Sequence, residues 1–211
     1  MIKIEPGTTV GYGGAPVVTV ASAIEFRPQG LTLLAGKNGA GKTTFMRFLC
    51  GCQPQKPSGN YKHCYLPEEL DFDRELSSDG IFSALIQERG SREWVRASAQ
   101  LTGLDLEKGF GTLSKGNKQK LRNLLVLALA RQNDADLVCL DEAMSGLDYK
   151  VRSQFWKLVE ETSRERHVLM SLHPDKILAQ PDQVIVVQNA EVRRVAGAGV
   201  TWEQVEKELA E

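Results

Sequence analysis

The stretch LTLLAGKNGAGKTTFMRFL, from Leu31 to Leu49, constrains this chain more than any other. An apolar run of strand length, Leu31 to Ala35, enters a glycine-rich loop. A helical pattern follows, with Phe45, Phe48 and Leu49 on one face and Gly51 as a stop. The loop, Gly36 to Thr43, fits G-x-x-x-x-G-K-[ST]. Its glycines let backbone N–H groups turn inward, and the helix N-terminus adds partial positive charge, so the segment is suited to phosphate oxygens. Gly36, Asn38, Gly39, Ala40, Gly41, Lys42, Thr43 and Thr44 form the candidate nucleotide cradle. Lys42 would reach the β- and γ-phosphates, and the Thr43 hydroxyl would ligate Mg²⁺. A flexible glycine turn is the plain alternative, and the strand before it and helix after it argue against that.

The rest of the chain alternates β-rich runs with helical patterns, which predicts a mostly parallel sheet covered by helices. Further strands are expected at Tyr61 to Leu66, Leu137 to Leu140, His167 to Leu172 and Gln183 to Gln188. Phe155, Leu158, Val159 and Thr162 mark one face of an amphipathic helix, whereas LRNLLVLALARQ is apolar nearly all round and reads as buried. Residues 1–211 read as one domain. Within it, about 1–30 would be an antiparallel β portion, and 31–68 with 113–211 the core. Residues 69–112, richer in charge and with Ile81, Phe82, Leu85 and Ile86 at helical spacing, would be an inserted helical subdomain.

LVCLDE ends a strand on Asp141 and Glu142. Two carboxylates at a strand end suit a site better than a core. In phosphate-loop ATPases a strand-terminal aspartate helps to hold Mg²⁺, and a second carboxylate can orient and deprotonate water. An acidic helix cap is the alternative. Both the glycine loop and this pair belong at the carboxyl edge of a parallel sheet, where open α/β folds bind ligands, and HVLMSLH brings His173 to the same edge.

Bulk properties narrow the partners. A net charge of -1 argues against a broad nucleic-acid footprint, and 42% hydrophobic residues fit a globular core. No apolar run reaches the roughly 18 residues needed to cross a bilayer. The start, MIKIEPGTTV, lacks a signal-peptide block, so a cytoplasmic chain is expected. Of the four cysteines, Cys64 and Cys139 read as core residues, and the Cys50–Cys52 pair has no second pair to complete a structural zinc site.

Glycine loop, LSKGNKQ, strand-DE, SGLD and histidine follow one another in an order that closely resembles the nucleotide-binding domain of ABC (ATP-binding cassette) transporters. The likeness covers nearly the whole chain. It implies an ATPase whose Tyr12 stacks on adenine, though an ordinary turn tyrosine would look the same. It makes Asp141 the magnesium-site aspartate, Glu142 the catalytic glutamate and His173 the switch histidine at the γ-phosphate. Ser145, Gly146, Leu147 and Asp148 match the loop that crosses to a partner subunit. Ser114, Gly116 and Asn117, with Lys115, stand where the family has LSGGQ and would meet ATP held by the opposite subunit. Glu68 stands where the family has a glutamine that senses magnesium and the membrane partner. Both departures resemble a bacterial exporter-type branch.

The resemblance implies two ATPase chains, identical or merely similar, closing around two ATP molecules with Mg²⁺. They would sit on the cytoplasmic face of the membrane and drive a membrane-spanning subunit on a separate chain. A soluble regulatory ATPase is the alternative; residues 44–112 hold no heptads of the kind that chromosome-maintenance relatives carry. A non-hydrolysing scaffold subunit is disfavoured by Glu142. At the C-terminus, Trp202, Val205 and Leu209 share a helical face that could serve packing or a partner.

Overall fold

The computed structural model describes residues 1–13, 15–53, 57–67, 70–172, 180–196 and 202–210. Among the described residues ten strands are arranged in two sheets. In chain order they are β1 (Ile2–Ile4), β2 (Thr9–Tyr12), β3 (Ala15–Val20), β4 (Ile24–Phe26), β5 (Gly30–Ala35), β6 (His63–Tyr65), β7 (Leu137–Leu140), β8 (His167–Leu172), β9 (Gln183–Gln188) and β10 (Glu191–Ala196). The helices are α1 (Lys42–Leu49), α2 (Ser78–Leu85), α3 (Arg89–Thr102), α4 (Lys115–Gln132), α5 (Tyr149–Ser163) and α6 (Trp202–Ala210), with a 3₁₀ turn at Phe110–Thr112.

The main sheet has the order β2-β3-β10-β9-β5-β8-β7-β6. From β9 to β6 every neighbour is parallel, whereas β2–β3 and β9–β10 are antiparallel. The expected α/β fold with a mostly parallel sheet is what the chain forms. β3 also joins this sheet, parallel to β10, and β1 and β4 pair separately.

The central strands read as continuous apolar runs because both of their faces are covered. Alternation sorts the side chains. Leu33, Val138, Leu140, Val168, Met170, Val184 and Val186 pack in a cluster with α4 and α5 residues. Leu34, Leu137, Cys139, Leu169, Ile185 and Val187 pack in a second cluster with Phe45, Met46, Phe48 and Leu49 of α1. Phe45 and Phe48 are fully buried, each contributing about 1.5–3 kcal/mol of apolar transfer. α1 is thereby fixed to the sheet that carries the glycine loop.

Phe155, Leu158, Val159 and Thr162 of α5 are all buried, as their spacing predicts. Between β6 and α4 the described residues form α2, α3 and the 3₁₀ turn without a strand. There Ile81, Phe82 and Ile86 are buried, but Leu85 is 40% exposed. The helix ends at Leu85, and Ile86 turns to an extended conformation (φ -105°, ψ 108°), which carries it inward and leaves Leu85 outside.

Candidate functional site

Gly36 follows β5, and Asp141 and Glu142 follow β7, with β8 between these strands. Ala35 is in register with Leu172, and Leu140 with Met170, so the glycine loop and the carboxylates emerge at one sheet edge.

The loop turns into α1 through Gly41, whose φ of 106° disfavours any side chain. A Cβ there would also lie 2.5 Å from Val18 Cγ1, so glycine is required twice over. α2, α3, α4 and α5 are each capped by a side chain, from Ser77, Glu88, Ser114 and Asp148. α1 has no side-chain cap and no acidic residue in its first turn. Its N-terminus, from Lys42 through Thr43 to Thr44, therefore keeps the donors and partial charge that suit a phosphate. Lys37, Asn38 and Gly39 are exposed, Ala40 and Thr43 half-buried, and Gly36 and Thr44 buried.

Lys42 is 5% exposed, and its Nζ donates to the carbonyls of Gly36 at 2.9 Å and Lys37 at 3.1 Å. Burial lowers its pKa, while the nearby Glu142 and Asp141 carboxylates act in the opposite sense. The lysine thus already belongs to the same electrostatic site as the strand-end pair. A buried ammonium held by two loop carbonyls is well placed to exchange them for phosphate oxygens.

Asp141 is buried and accepts from Ser171 Oγ at 2.6 Å. The same Oγ accepts the backbone N–H of Glu142 at 2.8 Å. Glu142 has a φ of 46°, a left-handed conformation that costs a non-glycine residue on the order of 1–3 kcal/mol. One residue on, the Ala143 carbonyl accepts from Asn123 Nδ2 at 2.6 Å, and Asn123 Oδ1 accepts from Gln119 Nε2 at 3.0 Å. Ser171 and Asn123 are absent from the sequence-based site. Their signals were slight: a serine inside an apolar strand, and an asparagine inside a helix apolar nearly all round.

Ser114 caps α4, accepting the Asn117 N–H at 3.3 Å. Ser114 and Lys115 are exposed, and Gly116 and Asn117 half-buried. Ser145 is half-buried, Gly146 exposed, and Leu147 buried in its own chain's core. The Asp148 carboxylate accepts the Val151 N–H at 3.0 Å and so caps α5. Tyr12 ends β2 with 47% exposure. Arg47 of α1 interacts with the hydroxyls of Tyr65 and Tyr12, which raise its pKa above the ordinary range.

Glu68 and His173 lie outside the described residues. Pro67 lines a small crevice with Asn123 and Asp141, and Arg122 donates from Nε to the Leu70 carbonyl at 2.9 Å. Cys50, Cys64 and Cys139 are buried and Cys52 exposed; all four are free thiols. Burial raises the Cys64 thiol to about 12. No cluster of His, Cys, Asp and Glu among the described residues has metal-binding geometry, and no described helix is long and apolar enough to cross a membrane.

The ABC transporter family pattern matches residues 21–145, more than half of the chain. The zinc import ATP-binding protein ZnuC of Marinobacter nauticus is 30% identical over 88% of this chain and 73% of its own length. The hemin import ATP-binding protein HmuV of Aliivibrio fischeri is 26% identical over 94% of this chain and 85% of its own. A solved structure described as the ATP-binding subunit of an ABC transporter covers both chains fully with a TM-score of 0.76, at 20% identity, a likeness of fold. The chain belongs to the ABC transporter family, as its ATP-binding ATPase domain.

Proposed function

We propose that this chain is the ATP-hydrolysing subunit of a transporter. Two such chains, identical or similar, would close around two ATP molecules on the cytoplasmic face of a membrane. Their closing and reopening would drive a membrane-spanning partner on a separate chain. The observation that carries the reading is that the glycine loop, with its buried Lys42, and the strand-end pair Asp141 and Glu142 emerge at one sheet edge.

In this reading the Lys42 ammonium leaves the Gly36 and Lys37 carbonyls for the β- and γ-phosphates. The uncapped start of α1 receives the phosphate oxygens, and Tyr12 stacks on the base. Thr43 and Asp141, a hydroxyl and a buried carboxylate at the same edge, fit a hard cation such as Mg²⁺, with Glu68 as a further oxygen donor. When bound, Mg²⁺ neutralises phosphate charge. Glu142 accepts the proton of the attacking water, and His173 contacts the γ-phosphate. Ser114, Gly116 and Asn117 face the ATP held by the other chain. Such catalysis rests on position and electrostatics.

An exporter-type branch is supported by Glu68 and by the LSKGN form of the stretch Leu113 to Asn117. Relatives named as hemin and zinc import proteins stand on the other side, so direction rests on those residues alone. Co-purification from membranes tests the transporter reading. A polytopic protein recovered with this chain supports it; a purely soluble complex contradicts it and favours a regulatory ATPase.

A further inference from the structure

Glu142 stands out because its backbone is unusual and is held from both sides. Its left-handed φ of 46° places it among the few described non-glycine residues of positive φ. Two of the others, Asn189 and Ala190, form an exposed turn between β9 and β10. Glu142 lies at the candidate site. Its N–H is bound by Ser171 Oγ at 2.8 Å, and the carbonyl of the next residue, Ala143, is bound by Asn123 Nδ2 at 2.6 Å. Ser171 is fully buried and Asn123 is 3% exposed, so neither side chain exchanges freely with water. Asn123 is itself oriented by Gln119, leaving its amide little freedom to turn away.

We propose that Ser171 and Asn123 are positioning residues for hydrolysis, acting as a two-sided clamp that holds the Glu142 backbone in this conformation and so aims its carboxylate. The inference rests on the reading of Glu142 as the general base. The two clamping side chains come from different elements. Ser171 lies on β8, while Asn123 lies on α4, the helix that begins at Ser114. Displacement of α4 would therefore pull on the chain one residue beyond the base. Serine and asparagine suit the task chemically: the hydroxyl accepts the Glu142 N–H while donating to Asp141, and the amide donates to a carbonyl while accepting from Gln119.

The test compares steady-state ATP turnover of the full chain with Asn123→Leu, Ser171→Ala and Glu142→Gln. Leucine is close to asparagine in size and suits the apolar surroundings of α4. Asn123→Leu is expected to lower kcat about 10-fold or more, the scale of a small misplacement of a reacting group, with KM for MgATP within two-fold. Ser171→Ala should behave likewise, with a higher Mg²⁺ requirement because Asp141 is released too. A merely structural role is separated by a double-mutant cycle. Added to Glu142→Gln, Asn123→Leu should reduce the residual turnover by less than two-fold. The clamp is overturned if Glu142→Gln is inactive while Asn123→Leu and Ser171→Ala keep kcat within two-fold of wild type. It is overturned equally if Asn123→Leu costs the same factor in the Glu142→Gln background. Full turnover in Glu142→Gln instead overturns the reading of Glu142 as the base.

Discussion

Gly116 approaches the backbone of Gly146 so closely that a Cβ on Gly116 would lie 2.8 Å from the Gly146 carbonyl oxygen. The start of α4 and the loop after Glu142 therefore touch through backbone within one chain. In the proposed dimer both segments face the other subunit. Gly116→Ala should force them apart by a few tenths of an ångström, since a carbonyl cannot retreat as a flexible side chain does. The expected outcome is retained ATP binding by the monomer with about 10-fold lower turnover, measured by nucleotide titration and steady-state hydrolysis.

Ser114 allows capping and anion contact to be separated. Ser114→Asp preserves an N-cap acceptor for the Asn117 N–H, so thermal stability should remain within about 0.5 kcal/mol of wild type. The new charge would stand against the γ-phosphate of ATP held by the other chain. ATP-induced association, followed by gel filtration with MgATP, should be lost while the fold persists. If association is unchanged, Ser114 is a cap alone.

His167 gives the fold a pH dependence away from the site. It is 3% exposed, and Thr32 Oγ1 lies 2.8 Å from its Nε2. Burial lowers its pKa to about 4, with backbone contacts to Arg27 and Gln29 and the charge of Asp182 acting the other way. The folded chain thus favours the neutral ring, whereas the unfolded chain takes up a proton near pH 6.5. Stability from this group is complete above about pH 6.5 and falls as the pH drops toward 4. The loss is on the order of 3 kcal/mol across that window. Denaturant midpoints measured from pH 7 to 4 should decline more steeply for wild type than for His167→Gln.

These outcomes depend on features of unequal visibility in the sequence. The segments Leu137–Leu140, His167–Leu172 and Gln183–Gln188 were legible to the residue because each is a β-rich apolar run covered on both faces. β10 was not. EVRRVA carries charge, and its hairpin turn uses Asn189 and Ala190, both at positive φ (50° and 61°), without the glycine that signals such turns. Similarly, the glycine loop and the Asp141–Glu142 pair could be read because their residue types are chemically distinctive. Ser171 and Asn123 could not, because only tertiary contact across 29 and 20 positions gives a buried serine and asparagine their meaning.

Steady-state ATP hydrolysis by purified Glu142→Gln, beside wild type in saturating MgATP, tests the central claim most directly. Removal of a general base that retains its hydrogen-bonding shape should lower turnover by about 100-fold or more, with nucleotide still bound and an ATP-dependent dimer accumulating. Turnover equal to wild type, with only monomer present in ATP, would contradict the account.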